Sequence, residues 1–257
     1  MFDFIPLNYY TPLYYYVMLL FFISFFLRSR SQELTSPKTI SSNRITAVLI
    51  LVFVILYMGY RPISGAVFGD MGTYATSFKN YQNGAVNFFK KDIVFDFFIA
   101  TSAAVMTVNT FFLFCTLLYV LPLWFACKKW FGLYSFYAFF GLVISFSFWA
   151  YGTNGIRNGL ATSFFLFALS RSKLKYKIIW MLLSIGVHKT MFIPSVAFIL
   201  AFFYSNSKYY FYGWLFSIPL SIISGSFWEG IFASFIADDR VRYLTQGNEN
   251  NDNFSPL

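Results

Sequence analysis

Of the 257 residues, 58% are hydrophobic, 24% aromatic and only 11% charged, too few charged groups to coat a water-soluble globule of this size. Lipid is therefore the solvent expected for most of the chain. The 19 Lys and Arg against 10 Asp and Glu do not mark a nucleic-acid binder, because the basic residues sit in short loops between apolar runs, where membrane topology accounts for them. The runs are continuous rather than alternating, which speaks against a β-barrel.

The first predicted span runs from about Thr11 to Leu27. No basic n-region precedes it and no small-residue cleavage site follows, so it reads as a retained helix. Arg28, Arg30, Lys38 and Arg44 form a basic loop behind it, which the positive-inside rule assigns to the cytoplasmic side. Ile45 to Tyr60 then returns outward. Residues 61–108 form the longest segment between spans, external in this assignment, with Asp70, Lys79, Lys90, Lys91, Asp92 and Asp96. Within it, Ile93 to Val108 reads as a helix lying in or dipping through the interface, since Asp96, Thr101, Ser102 and Thr107 interrupt its apolar character.

Asn109 to Cys127 crosses inward and stops at Lys128 and Lys129; Leu133 to Tyr151 crosses outward, and Gly152, Asn154 and Gly155 make an outer turn. Cys115 and Cys127 share one helix about 18 Å apart, too far to bridge, and read as packing residues. The chain re-enters at Ile156 through Arg157 and Asn158 and runs to Ser170, where Arg171, Lys173, Lys175 and Lys177 mark the cytoplasmic side. Ile178 to Tyr204 is too long for one ordinary span and holds Gly186, His188 and Lys189 near its middle. Two short helices meeting at His188 fit this stretch. Each is about 17 to 24 Å long against a core of roughly 30 Å, which sinks their tip below the outer surface. A single tilted helix over the same residues is the alternative, and a tag on the C-terminus separates the two. Tyr209 to Ser224 is the last outward span, and Phe227 to Leu257 is an external tail. The expected fold is an all-α, polytopic transmembrane bundle of about seven to eight membrane segments in one integral membrane domain.

A charged side chain at lipid depth costs about 2.5–3.5 kcal/mol, so it persists where it faces water, a partner or a ligand. Arg157 opens a helix after Tyr151-Gly152-Thr153-Asn154-Gly155, where the free N–H groups of the helix start add to its positive field. Together they suit a phosphate or diphosphate; snorkelling to the interface is the alternative fate of such an arginine. His188, the only histidine, stands with Lys189 at the expected helix break and reads as a proton carrier, an oxyanion ligand or a hydrogen-bonded structural residue. No metal-ligand set accompanies it, so neither a metal nor another cofactor is expected. Asp70 follows the second span closely enough to reach the same outer region, either to hydrogen-bond or deprotonate a sugar hydroxyl or as a solvated turn residue. Asp238-Asp239-Arg240-Val241-Arg242 places two arginines beside two carboxylates, an anion clamp or a salt-bridged turn.

In order along the chain, Asp70 and Tyr74 after the second span, Ile156-Arg157-Asn158-Gly159-Leu160-Ala161 after the outer turn, Ile185-Gly186-Val187-His188-Lys189-Thr190, and Arg242-Tyr243-Leu244 resemble the Wzy-type polysaccharide polymerases, in particular the EpsG-like branch. The resemblance implies an enzyme of the bacterial inner membrane that joins undecaprenyl-diphosphate-linked oligosaccharide units at its outer face by glycosyl transfer, without a metal. It implies Arg157, Lys189, Arg240 and Arg242 as diphosphate ligands, His188 or Asp70 as the group assisting the acceptor hydroxyl, and Tyr74, Asn154 and Asn158 on the glycan. A chain-length regulator and a flippase of the same pathway are the partners it implies, besides membrane lipid. Two departures stand out: Asn158 replaces the longer Gln that usually follows the Arg, and the chain ends where further spans usually follow, so it is expected to be incomplete. A transporter or flippase, or a ligase or acyltransferase on the same lipid carriers, would use similar groups.

Overall fold

A computed structural model describes residues 2, 4–31, 33, 36–84 and 92–235. They are helical, with no strand among them: α1 Leu7–Ser31, α2 Pro37–Gly59, α3 Asp70–Gln82, α4 Ile93–Val105, α5 Val108–Phe131, α6 Ser135–Val143, α7 Phe146–Thr153, α8 Ile156–Leu169, α9 Leu174–Val187, α10 Phe192–Phe203 and α11 Ser207–Phe235. The chain divides into two compact units, Met1–Met191 and Phe192–Leu257.

Local chemistry explains several helix ends in the first unit. The side chain of Ser36 accepts from the Thr39 N–H at 3.2 Å, and Pro37 takes the first helical position, where its missing N–H costs nothing. The helix therefore starts about two turns earlier than hydropathy alone suggests, so Lys38 and Arg44 lie on α2 and not in a loop. Ser145 caps α7 by accepting from the Phe148 N–H at 3.2 Å. That cap breaks the expected crossing from Leu133 to Tyr151 into α6 and α7. Gly132, at φ +51°, ends α5 in a conformation that favours glycine.

The centre of this unit is α5, which packs against α2, α6 and α8, while α8 lies along α9, and α4 touches α3, α5 and α9. Phe111, Phe112, Val120, Met58 and Ala161 are among the buried residues of this core. α1 is fastened by polar bonds as well as by rings. Tyr10 and Tyr57 each donate a hydroxyl to the other's backbone carbonyl, at 2.6 and 2.8 Å, with their rings stacked at 4.4 Å. Tyr14 donates to the Val143 carbonyl and Trp149 to the Thr11 hydroxyl. Helices in lipid lack a hydrophobic drive toward one another, so such bonds and ring contacts do the work of association.

Three stretches, Leu7–Arg30, Pro37–Gly59 and Val108–Val143, are long and apolar enough to cross a membrane by length and composition. α8 and α9 hold 14 residues each, about 21 Å and short of a straight crossing of roughly 30 Å. Among the described residues the expected bundle is thus represented by three full-length candidate spans plus shorter apolar helices. The outward faces of α1 and α2 carry exposed Leu19, Phe22, Val48 and Leu49, a surface suited to lipid and not to water.

In the second unit, α10 and α11 expose most of their large apolar side chains, Phe202, Phe203, Phe211 and Trp214 among them. The helix continues to Phe235 past a single non-helical residue at Ser224 (φ −128°, ψ 27°). Residues 227–235 are therefore helical, where the sequence suggested a tail; residues 236–257, including Arg240 and Arg242, lie outside the described set.

Candidate functional site

Four helix ends of the first unit carry the residues of interest. α9 stops at Val187, and His188 is extended (φ −153°, ψ 119°), followed by a 3-10 turn over Lys189–Met191. The expected break at His188 is present. α9 reaches this point against α8 and α4. Ser184 donates its hydroxyl to the Ala161 carbonyl at 2.6 Å, and Gly186 lets α4 approach so closely that a Cβ there would stand 2.4 Å from Val94 Cγ2. Only a hydrogen side chain fits that gap.

Asp92 precedes α4 at the N-cap position and is 3% exposed. An aspartate there ordinarily accepts N–H groups of its own first turn, yet Asp92 makes no such bond. Its carboxylate is turned to other elements. Arg157 Nη1 lies 2.6 Å from Oδ2, His188 Nδ1 lies 3.3 Å from the same oxygen, and the Lys189 N–H donates to Oδ1 at 3.0 Å. Burial opposes ionisation of Asp92, but the bond from His188, the N–H of Lys189 and the charge of Arg157 together hold it below the ordinary carboxylate range. The carboxylate is thus an acceptor only, which makes Nδ1 of His188 the protonated nitrogen. When that ring is neutral, Nε2 carries the lone pair, the arrangement of an oriented base.

Arg157 stands in the first turn of α8, whose N-cap, Gly155, supplies no side-chain cap. Its side chain is 23% exposed, and a guanidinium has five N–H donors, so pairing through Nη1 leaves others for an anion. Tyr74, on α3, is drawn to the same helix start. Burial pushes its phenol up to about 12; the Arg157 charge and backbone N–H oppose that rise, and Asp70 adds to it. The Tyr74 ring meets Phe95 of α4 edge-on at 5.3 Å.

Asp70 opens α3, and its backbone N–H donates to Asn154 Oδ1 at 2.9 Å. Asn154, expected on a glycan, therefore caps α3 from the turn between α7 and α8. Gly69 holds φ +40°, and a Cβ on it would meet Asn154 Oδ1 at 2.5 Å. Glycine is required there both for its backbone angle and for the room. Asn158 is half-buried one residue beyond Arg157. Lys189 contributes its backbone to Asp92 while the residue itself is exposed.

The structure thus gathers Arg157, His188 and the Lys189 backbone on one carboxylate, with Tyr74 against the start of α8 at Arg157 and Asp70 bonded to Asn154 in the turn before it. Asp92 is the residue the sequence left unassigned. Its one sequence signal, an Asp directly before an apolar helix, reads as a cap and not as a ligand to distant side chains.

Fold and cluster define a helical membrane protein in which a buried aspartate pairs with an arginine and a histidine at helix ends. The model of the EpsG family matches residues 44–254, and the chain belongs to that family, membrane proteins of polysaccharide-polymerase type. No curated protein and no solved structure matches it.

Proposed function

We propose that this protein polymerises lipid-linked oligosaccharide units by glycosyl transfer, with the cluster around Asp92 as its reaction centre. The observation that carries the reading is Asp92 holding Arg157 and His188 on one carboxylate in a chain of the EpsG family. The donor is a glycan on undecaprenyl diphosphate, and the acceptor is a terminal sugar hydroxyl of the next lipid-linked unit. The acceptor oxygen forms a bond to the anomeric carbon as the bond from that carbon to the diphosphate oxygen breaks. The proton of the hydroxyl passes to Nε2 of His188, and the electron pair leaves with the diphosphate.

Each residue has a role in that step. Arg157 and the uncapped start of α8 meet the charge that develops on the diphosphate, and the exposed Lys189 side chain adds to that field. Asp92 fixes the tautomer of His188 and stabilises its protonated form once the proton has moved. Asp70 is the second candidate for the base, and Tyr74, Asn154 and Asn158 are assigned to the glycan. Arg240 and Arg242 belong to the same proposal as further diphosphate ligands. The site faces outward from the bacterial inner membrane in this reading, and a chain-length regulator and a flippase would act beside it.

Complementing a deletion strain with Arg157→Ala, His188→Ala or Asp92→Asn tests the proposal. Single repeat units on lipid are the expected product. Long glycans of normal length from all three variants would refute it, and untransported units at the inner face would point to a flippase instead.

A further inference from the structure

Arg61, two residues beyond α2, is 3% exposed and took no part in the sequence reading. Its guanidinium donates from Nη1 to the Met58 carbonyl and from Nη2 to the Thr153 carbonyl at 3.0 Å. It also lies 5.6 Å from the ring centroids of both Phe68 and Phe112, the distance of a cation–π contact. Nε makes no hydrogen bond among the described residues, so the residue is not placed there by full satisfaction of its donors. What the two carbonyls share is position. Met58 stands one residue from the end of α2 and Thr153 is the last residue of α7, so the partly negative ends of two helices converge on one cation.

The chain past Thr153 leads straight to the reaction centre. Asn154 accepts from the Asp70 N–H, Gly155 is the N-cap of α8, and Arg157 reaches Asp92. Thr153 itself closes the last turn of α7 by donating its hydroxyl to the Trp149 carbonyl at 2.8 Å. A clamp on the Thr153 carbonyl therefore sets where α8 begins relative to α2, and with it the reach of Arg157.

We propose that Arg61 is a positioning residue, whose planar fork joins the ends of α2 and α7 and thereby holds Arg157 in register with Asp92. Its consequence for catalysis rests on the glycosyl-transfer reading; the geometric claim does not. A lysine keeps the charge at this position but loses the flat fork that spans two carbonyls from separate helices.

The test is the coupling between Asp92→Asn and Arg157→Gln, read from unfolding equilibria in mixed micelles. It is measured with Arg61 present, in Arg61→Met and in Arg61→Lys. With Arg61 present the coupling is expected to be about tenfold in the unfolding equilibrium constant, and to fall to roughly threefold or less in both variants. A residue that merely adds stability would lower every equilibrium constant alike and leave the coupling intact. Unchanged coupling in Arg61→Lys overturns the proposal, and this variant decides alone if Arg61→Met does not fold. Glycan length in cells separates the two readings: lost coupling with short glycans supports both, whereas lost coupling with normal glycans supports the positioning role and refutes the polymerase site.

Discussion

Replacing Asp92 by Asn preserves the shape of the side chain and removes its charge. The amide oxygen can still accept the Lys189 N–H, but Arg157 loses a charged partner at 2.6 Å and Nδ1 of His188 loses its anionic acceptor. Two unit charges about 4 Å apart attract by roughly 4 kcal/mol at the effective dielectric of a partly wet site. Much of that is returned, because Arg157 is 23% exposed and water takes up part of its charge. Hydrogen bonds to charged groups contribute about 1.5–3 kcal/mol, so Asp92→Asn is expected to cost about 2 kcal/mol of stability. Arg157→Gln costs less, since Asp92 keeps its bonds from His188 and Lys189, and the double variant falls short of the sum by about 1–2 kcal/mol. Reversible unfolding by SDS in mixed micelles, followed by circular dichroism, measures all four corners of the cycle. Additivity within about 0.5 kcal/mol would refute the claim that Asp92 and Arg157 form a functional pair.

The remaining predictions concern the same helix ends. Gly186→Ala drives a methyl into Val94; a loss of about 1–3 kcal/mol and shortened glycans are expected, with Val94→Ala in the same chain restoring both, and a silent Gly186→Ala would refute the close approach. Gly69→Ala, at φ +40° and against Asn154, is expected to lower the thermal midpoint by the equivalent of about 1–2 kcal/mol. Since the carboxyl of Asp92 titrates below its ordinary value, the stability it adds is present above that value and lost as pH falls through the lower, folded one. The stability gap between the native chain and Asp92→Asn should therefore narrow as pH falls below roughly 4.

Helical class, lipid as solvent and the interruption at His188 were all legible because each is a local property: long apolar runs, and a Gly-Val-His-Lys sequence that interrupts one of them. Arg157 in the first turn of α8 was legible for the same reason. The pairing was not. His188 and Asp92 are 96 residues apart, and nothing periodic or compositional links an aspartate before one helix to the end of another. The start of α3 was missed because Gly69 and Gly72 look like turn formers. Gly69 does make a turn, but its positive φ delivers Asp70 to the cap offered by Asn154, a residue in a distant loop.

The opening of α4 ties these observations together. The cheapest use of an aspartate at an N-cap is to accept from its own helix, a contribution of about 1 kcal/mol, and Asp92 forgoes it. What it gains is a site in which Arg157, His188 and its own carboxylate approach charge balance as a unit. Separately, the buried aspartate or the arginine against it would each be costly to place. Together they leave one basic nitrogen on His188 and several guanidinium donors unspent. Those unspent groups are what the proposed diphosphate donor and sugar acceptor would require of the protein, and a chain this apolar keeps these ionisable residues where each neutralises the cost of another.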